Sequence, residues 1–247
     1  MTEGPRGWGT PLHAAVLDAT GVGPGTTLLD LGCGAGLFAR AAAARGARVT
    51  GVDPDPAAVA AAAAEVPEGS FAVGTAEHPP TGPFDVVAAV QLLMHVVDPV
   101  AVLAAAGRSG GVVAATVWGR EEECDVRVFG AALRPWLGPS SGGHPITEPG
   151  VLREAAERAG LAVHRLDEVV CPFDYEDDEA VLGPLFDSGL GRAVGRRADE
   201  RQPAPAGGPD RRVLLQHRQP PVCLGSAGWT ARDRAGGEPR CMPPCST

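Results

Sequence analysis

LLDLGCGAGLF, residues 28–38, joins an apolar run to a glycine turn and then to an alanine-rich stretch. The pattern predicts a strand near 27–31, a tight turn and a helix near 36–45. Glycines at such a turn let the backbone pass close to a ligand, because no Cβ stands in the way. The helix opening after Gly36 also points free N–H groups at that space.

Outward from this turn the same phrase repeats. Strands are expected near 48–52 (RVTGV), 70–74 (SFAVG), 84–90 (FDVVAAV) and 111–118 (GVVAATVW), with helices near 56–65 and 98–107 between them. This alternation predicts an α/β fold, a parallel sheet with helices on both faces. Asp98-Pro99 reads as a helix N-cap followed by proline at the first helical position, and Pro54 and Pro56 punctuate the preceding helix start. Gly110-Gly111 reads as the turn into the fifth strand.

After residue 118 the rhythm breaks. Residues 119–146 combine an acidic opening, a short amphipathic stretch and a Gly/Ser/Pro loop, placed where open α/β sheets build ligand sites. A helix over 147–160 follows, with Thr147 as its cap and Gly160 closing it, then a sixth strand (LAVHRLDEVV, 161–170) and an acidic helix near 176–187.

The 247 residues suit one α/β domain, and 44% hydrophobic against 21% charged residues provides for a sizeable core. The net charge of −9 argues against a polyanion binder, so no nucleic acid partner is expected. The charge is unevenly spread: the first 190 residues carry 11 arginines against 25 acids, the last 57 carry ten against five. There is no lysine. Neither a secretory signal nor an apolar run of about 18 residues is present, so the expectation is a cytoplasmic chain with no membrane partner. Six scattered cysteines are expected to be reduced thiols.

Asp53, at the end of the second strand, lies 17 residues after Gly36, where a carboxylate can take both hydroxyls of a ribose. The cofactor is therefore nucleotide-like. The dinucleotide fingerprint G-x-G-x-x-G fails, because Leu37 stands at its third glycine and the spacing is G-x-G-x-G. Asp30 would repel a pyrophosphate but suits the ammonium of S-adenosylmethionine, so charge favours the sulfonium cofactor.

At these residues the sequence resembles the class I S-adenosylmethionine-dependent methyltransferases, in particular small-molecule enzymes of actinobacterial type, over about residues 8–187. LLDLGCGAG matches the family's first motif, Asp53 in VTGVDPD its ribose-binding acid, VGTAEHPP (73–80) its adenine segment, and FDVVAAVQLLMHVVDP (84–99) its fourth strand and the segment beyond. The resemblance implies a Rossmann-like, doubly wound, mostly parallel seven-stranded sheet. It implies cofactor contacts from Asp30, Gly32, Cys33, Gly34, Gly36, Asp53, Pro54, Thr75, Ala76 and Glu77, with Gln91, one position past the fourth strand, lining the cofactor or the acceptor pocket. Thr75 stands where the family usually has an adenine-contacting Asp, which implies weaker binding. The family's closing apolar strand has VLLQH (213–217) as its only stand-in. Residues 1–190 are thus read as the methyltransferase domain. Residues 191–247 are read as a basic Pro/Gly/Arg-rich tail, disordered or translated in a shifted frame of a high-GC gene.

Methyl transfer mainly requires alignment of nucleophile, methyl and sulfur. His95, just past the fourth strand, is read either as a general base or as a histidine that packs beside the cofactor. His144 is a weaker candidate on the acceptor side, and Trp8, Leu12, Met94, Trp118, Phe129 and Trp136 are candidates for an apolar acceptor pocket, or for core packing. Glu121, Glu122, Glu123 and Asp125 are consecutive acids that do not converge, so no metal is expected. The reading is methyl transfer to O or N of a small, largely apolar metabolite, as in specialised metabolism, by a monomer or homodimer. The alternatives are an impaired, methyltransferase-like binding protein and an NAD(P)-dependent oxidoreductase.

Overall fold

The computed structural model describes residues 9–119, 145–171 and 222–230. In chain order the elements are α1 (Thr10–Ala19), β1 (Thr27–Leu31), α2 (Leu37–Ala43), β2 (Arg48–Asp53), α3 (Pro56–Glu65), β3 (Ser70–Val73) and β4 (Phe84–Val90). There follow α4 (Pro99–Ser109), β5 (Gly110–Trp118), α5 (Pro149–Arg158), β6 (Ala162–Cys171) and β7 (Val222–Thr230). Short 3-10 turns lie at Leu93–His95 and Pro145–Thr147.

The strands pair in the order β3-β2-β1-β4-β5-β7-β6. The first five are mutually parallel, and β7 runs antiparallel to both β5 and β6. Helices cover both faces, so successive strand residues are apolar toward opposite sides. Leu29, Leu31, Val87, Ala89, Val113 and Ala115 pack one way, with Val102, Leu103 and Ala106 of α4 and Leu152 and Ala156 of α5. Leu28, Val86, Ala88 and Ala114 pack the other way, with Val16 and Leu17 of α1 and Phe38, Ala39 and Ala42 of α2.

The helix starts show which local signals act. Asp98 caps α4, its Oδ1 accepting the Ala101 N–H at 3.0 Å, with Pro99 in the first turn. Asp55 caps α3 in the same way, accepting from Ala57 N–H at 2.8 Å. Replacing Asp98 with alanine is expected to cost about 1 kcal/mol of stability, read from the midpoint of urea unfolding.

Three expectations need correction, and one helix was not anticipated. Thr147 does not cap α5: the N-cap is Glu148, without a side-chain cap bond, and Thr147 belongs to the preceding 3-10 turn. Gly110-Gly111 is not a turn but the start of β5, so α4 passes directly into the strand. Crowding explains the glycine there, since a Cβ on Gly110 would lie 2.4 Å from Val87 Cγ2 and 3.1 Å from the Phe84 carbonyl oxygen. Helix α1 was not foreseen, although Leu12, Val16 and Leu17 are buried at helical spacing. The strand between β5 and β6 is Val222–Thr230, downstream of VLLQH, so the sheet draws on residues beyond 190. VLLQH (213–217), the acidic helix near 176–187 and most of the 119–146 insertion lie outside the described residues.

Candidate functional site

The carboxyl ends of the parallel strands form one rim, where ligands of open α/β sheets bind. Strand order places Thr75–Glu77 beyond β3, then Asp53 at the end of β2, the glycine turn beyond β1, Gln91–His95 beyond β4, and Trp118 at the end of β5.

The glycine turn uses backbone conformations that a Cβ disfavours. Gly32, Gly34 and Gly36 have φ of 69°, 52° and 86°. The N–H groups of Gly32 and Cys33 both donate to the Val52 carbonyl, at 2.8 and 3.0 Å, tying the turn to β2. A Cβ on Gly32 would strike Leu92 Cδ1 at 2.6 Å, and one on Gly36 the Ala62 Cα at 2.9 Å. Gly34 differs, since among the described residues a Cβ there would meet nothing within 4 Å. Open space therefore faces the turn at Gly34.

Two carboxyl groups stand near the turn. Asp53 is held by the backbone: Oδ2 accepts the Gly34 N–H at 3.0 Å and Oδ1 the Asp55 N–H at 2.9 Å. Asp30 is 1% exposed, and its Oδ2 has no hydrogen-bond partner among the described residues. Burial, with the nearby Asp53 charge, pushes the Asp30 carboxyl up to about 8. A cation placed beside it would restore the charged form. Cys33 is pushed up to about 12, first by burial and then by Asp30 and Asp53, so it is a neutral thiol that fills space.

Thr75 is exposed, with Oγ1 3.4 Å from His78 Nδ1. Ala76 is buried, Glu77 half-buried and Pro54 exposed. Gln91 is half-buried, with its backbone turned to a φ of 55°. His95 is exposed at the end of its 3-10 turn, while Met94 packs against the core. Leu12 is 1% exposed and buried with Cys171, against Val90, Trp118 and Val169. Its side chain is consumed by packing and does not line an open pocket. Trp8, Phe129, Trp136 and His144 lie outside the described residues, as do Glu121–Glu123 and Asp125.

Sequence reasoning missed the residues that position others. Thr116, buried in β5, receives the Gln91 N–H, and Leu92 fills the space over Gly32. A hydroxyl inside the apolar run VVAATVW was the available signal for Thr116. His13 of α1 was also missed. It packs edge-on against Phe38, ring centroids 5.5 Å apart, and burial, assisted by Arg40, lowers it to about 4.

These shifts set opposite pH dependences. His13 titrates lower folded than unfolded, so its contribution is present above about 6.5 and lost as pH falls through 4. Asp30 titrates higher folded than unfolded, so its contribution is present below 3.8 and lost as pH rises through 8. Between about pH 6.5 and 8.5 only Asp30 of the two still changes. The melting temperature of the ligand-free protein is expected to fall across that window, and Asp30→Asn to flatten the fall. Calorimetry at closely spaced pH values checks this.

The residues fit S-adenosylmethionine. Asp53 presents a pre-aligned carboxylate, Asp30 an oxygen, Oδ2, without a partner among the described residues, and Gly34 an open approach among those same residues. Residues 29–113 match the family described as Methyltransferase domain. The ubiquinone biosynthesis O-methyltransferase of Pseudomonas paraeruginosa is 40% identical over 106 residues, 40% of this chain and 45% of that protein. The chain thus spans less than half the length of that relative. The enzyme of the same name from Thiobacillus denitrificans is 33% identical over 172 residues, 63% of this chain and 73% of that protein. The chain belongs to the class I S-adenosylmethionine-dependent methyltransferases. Among solved structures, phosphoethanolamine N-methyltransferase 2 of Haemonchus contortus in complex with S-adenosyl-L-methionine shares the fold. Its TM-score is 0.52 at 20% identity, covering 92% of this methyltransferase and 53% of that chain. Membership in the methyltransferases sets aside the nicotinamide reading, in agreement with Leu37 at the third glycine position. No helix among the described residues of the methyltransferase is long and apolar enough to cross a membrane.

Proposed function

We propose that this chain catalyses transfer of a methyl group from S-adenosylmethionine to O or N of a small, largely apolar metabolite. The observation that carries the reading is the pairing of an open glycine turn with two unlike carboxyl groups, one fixed by backbone donors and one buried with an oxygen that has no partner among the described residues. The bound cofactor supplies a methyl carbon activated by positive sulfur. Asp53 holds the ribose hydroxyls, Asp30 faces the ammonium, and Thr75, Ala76 and Glu77 flank the adenine. The free N–H groups at the start of α2 face the carboxylate end.

Holding acceptor and methyl in line contributes roughly 7–11 kcal/mol to lowering the barrier, so no group on the protein has to carry a bond-making step. His95, exposed beyond β4, can take a proton from the acceptor where the acceptor must lose one. The relatives' names support oxygen as the methylated atom. Isothermal titration with S-adenosylmethionine and S-adenosylhomocysteine tests the reading. Binding of both is expected, and no heat of binding for either at millimolar concentration would overturn it.

A further inference from the structure

We propose that Gln91 recognises the methyl acceptor and selects an oxygen nucleophile over an amine; this rests on the methyltransferase reading above. Gln91 is the only non-glycine residue with positive φ among the described residues. A left-handed backbone is unfavourable for a residue with a Cβ, and such conformations concentrate where a side chain must be aimed. The conformation is pinned from β5, because the Gln91 N–H donates to both the carbonyl and Oγ1 of Thr116, at 3.0 Å each. Its side-chain Nε2 is buried and has no hydrogen-bond partner among the described residues. A buried donor left unpaired is unfavourable, so the position is completed by an acceptor atom from a ligand.

Strand order says which ligand. The groups that match the cofactor's polar parts lie beyond β1, β2 and β3: the glycine turn with Asp30, then Asp53, then Thr75–Glu77. Gln91 lies on the other side of the glycine turn, beyond β4 and next to β5, where the acceptor has to approach. A donor N–H would also be poorly matched to a sulfonium or an ammonium.

The chemistry then separates acceptors. An oxygen nucleophile has two lone pairs, one to attack carbon and one to accept the Gln91 N–H. As the oxygen–carbon bond forms, the sulfur–carbon bond breaks, sulfur keeps the electron pair as a neutral thioether, and the hydroxyl proton passes to His95 and from there to solvent. A neutral amine has one lone pair, which the attack consumes, and it leaves Nε2 unpaired. The site therefore takes phenol- or enol-type oxygen acceptors.

The test uses the full chain saturated with S-adenosylhomocysteine and titrates it with 4-nitrophenol and, separately, 4-nitroaniline, probes of the same shape that differ in the reacting atom. Wild type is expected to bind the phenol about ten-fold or more tighter than the aniline, the size of one hydrogen bond to a charged acceptor. Gln91→Met should remove that preference and lower affinity for S-adenosylhomocysteine by less than it lowers affinity for the phenol. Gln91→Leu, of similar size and with no donor in any protonation state, should do the same and keeps the proposal falsifiable if Gln91→Met folds poorly. The proposal is overturned if wild type shows no preference for the phenol. It is also overturned if the variants keep the preference, or lose S-adenosylhomocysteine affinity as much as phenol affinity. Failure of wild type to bind S-adenosylhomocysteine at all would instead overturn the methyltransferase reading beneath it.

Discussion

Replacing Asp53 with alanine is expected to weaken S-adenosylhomocysteine binding by about 100-fold or more, measured by isothermal titration. The carboxylate stands ready before any ligand arrives, because the Gly34 and Asp55 N–H groups hold its two oxygens at 3.0 and 2.9 Å. An ionised carboxylate has about four lone-pair sites, so two remain for a diol. Each bond from a hydroxyl to a charged acceptor contributes about 1.5–3 kcal/mol, and alanine forfeits both. Asn keeps one acceptor oxygen and no charge, so Asp53→Asn should fall between wild type and alanine. An affinity for Asp53→Ala within threefold of wild type would show that the ribose is held elsewhere.

Gly36→Ala should destabilise the protein by about 3 kcal/mol or more, read from the denaturant midpoint. Two effects add. A φ of 86° disfavours an L-residue by roughly 1–2 kcal/mol, and insertion of a methyl group into a packed contact costs about 1–3 kcal/mol. The contact is with α3: the new Cβ would lie 2.9 Å from the Ala62 Cα and 3.1 Å from its Cβ. Against a typical total of about 5–15 kcal/mol, that loss leaves a substantially weakened fold. Ala62→Gly in the same chain should restore only part of the loss, since it removes the Cβ and not the Cα. A loss under about 1 kcal/mol would mean that α2 and α3 separate easily.

The parts of the fold legible in the sequence are those in which local chemistry and tertiary packing agree. β1, its glycine turn and the Asp98 cap satisfy their own backbone groups within a few residues, and their patterns are correspondingly plain. The parts that were not legible depend on neighbours. β7 reads VCLGSAGWT, and Gly, Ser and Ala carry little strand preference. It is a strand because β5 and β6 pair with it on both sides. Gly110 looked like a turn because glycine permits one, whereas the structure needs its missing Cβ beside Val87. Helix α1 begins at Gly9 without a side-chain cap, so Pro11 in its first turn and its buried face were what announced it.

In the candidate site, Asp30 and Asp53 were readable because their spacing from the glycines is fixed by the βα unit. The left-handed backbone of Gln91 was not, because no glycine marks it and its partner, Thr116, lies 25 residues away on β5. The value of about 8 for Asp30 was equally out of reach, since it arises from complete enclosure and a charge on the next strand.

The place of Val222–Thr230 between β5 and β6 bears on how the molecule is made. The last described strand in sequence is an interior one, so during vectorial synthesis β5 is left with an open side for more than a hundred residues of translation. β6, once made, has nothing to dock on in the finished register until Val222 has left the ribosome. Unpaired strand sides of this kind template pairing with other chains. Until β7 is made, the side of β5 that it will occupy is such a template.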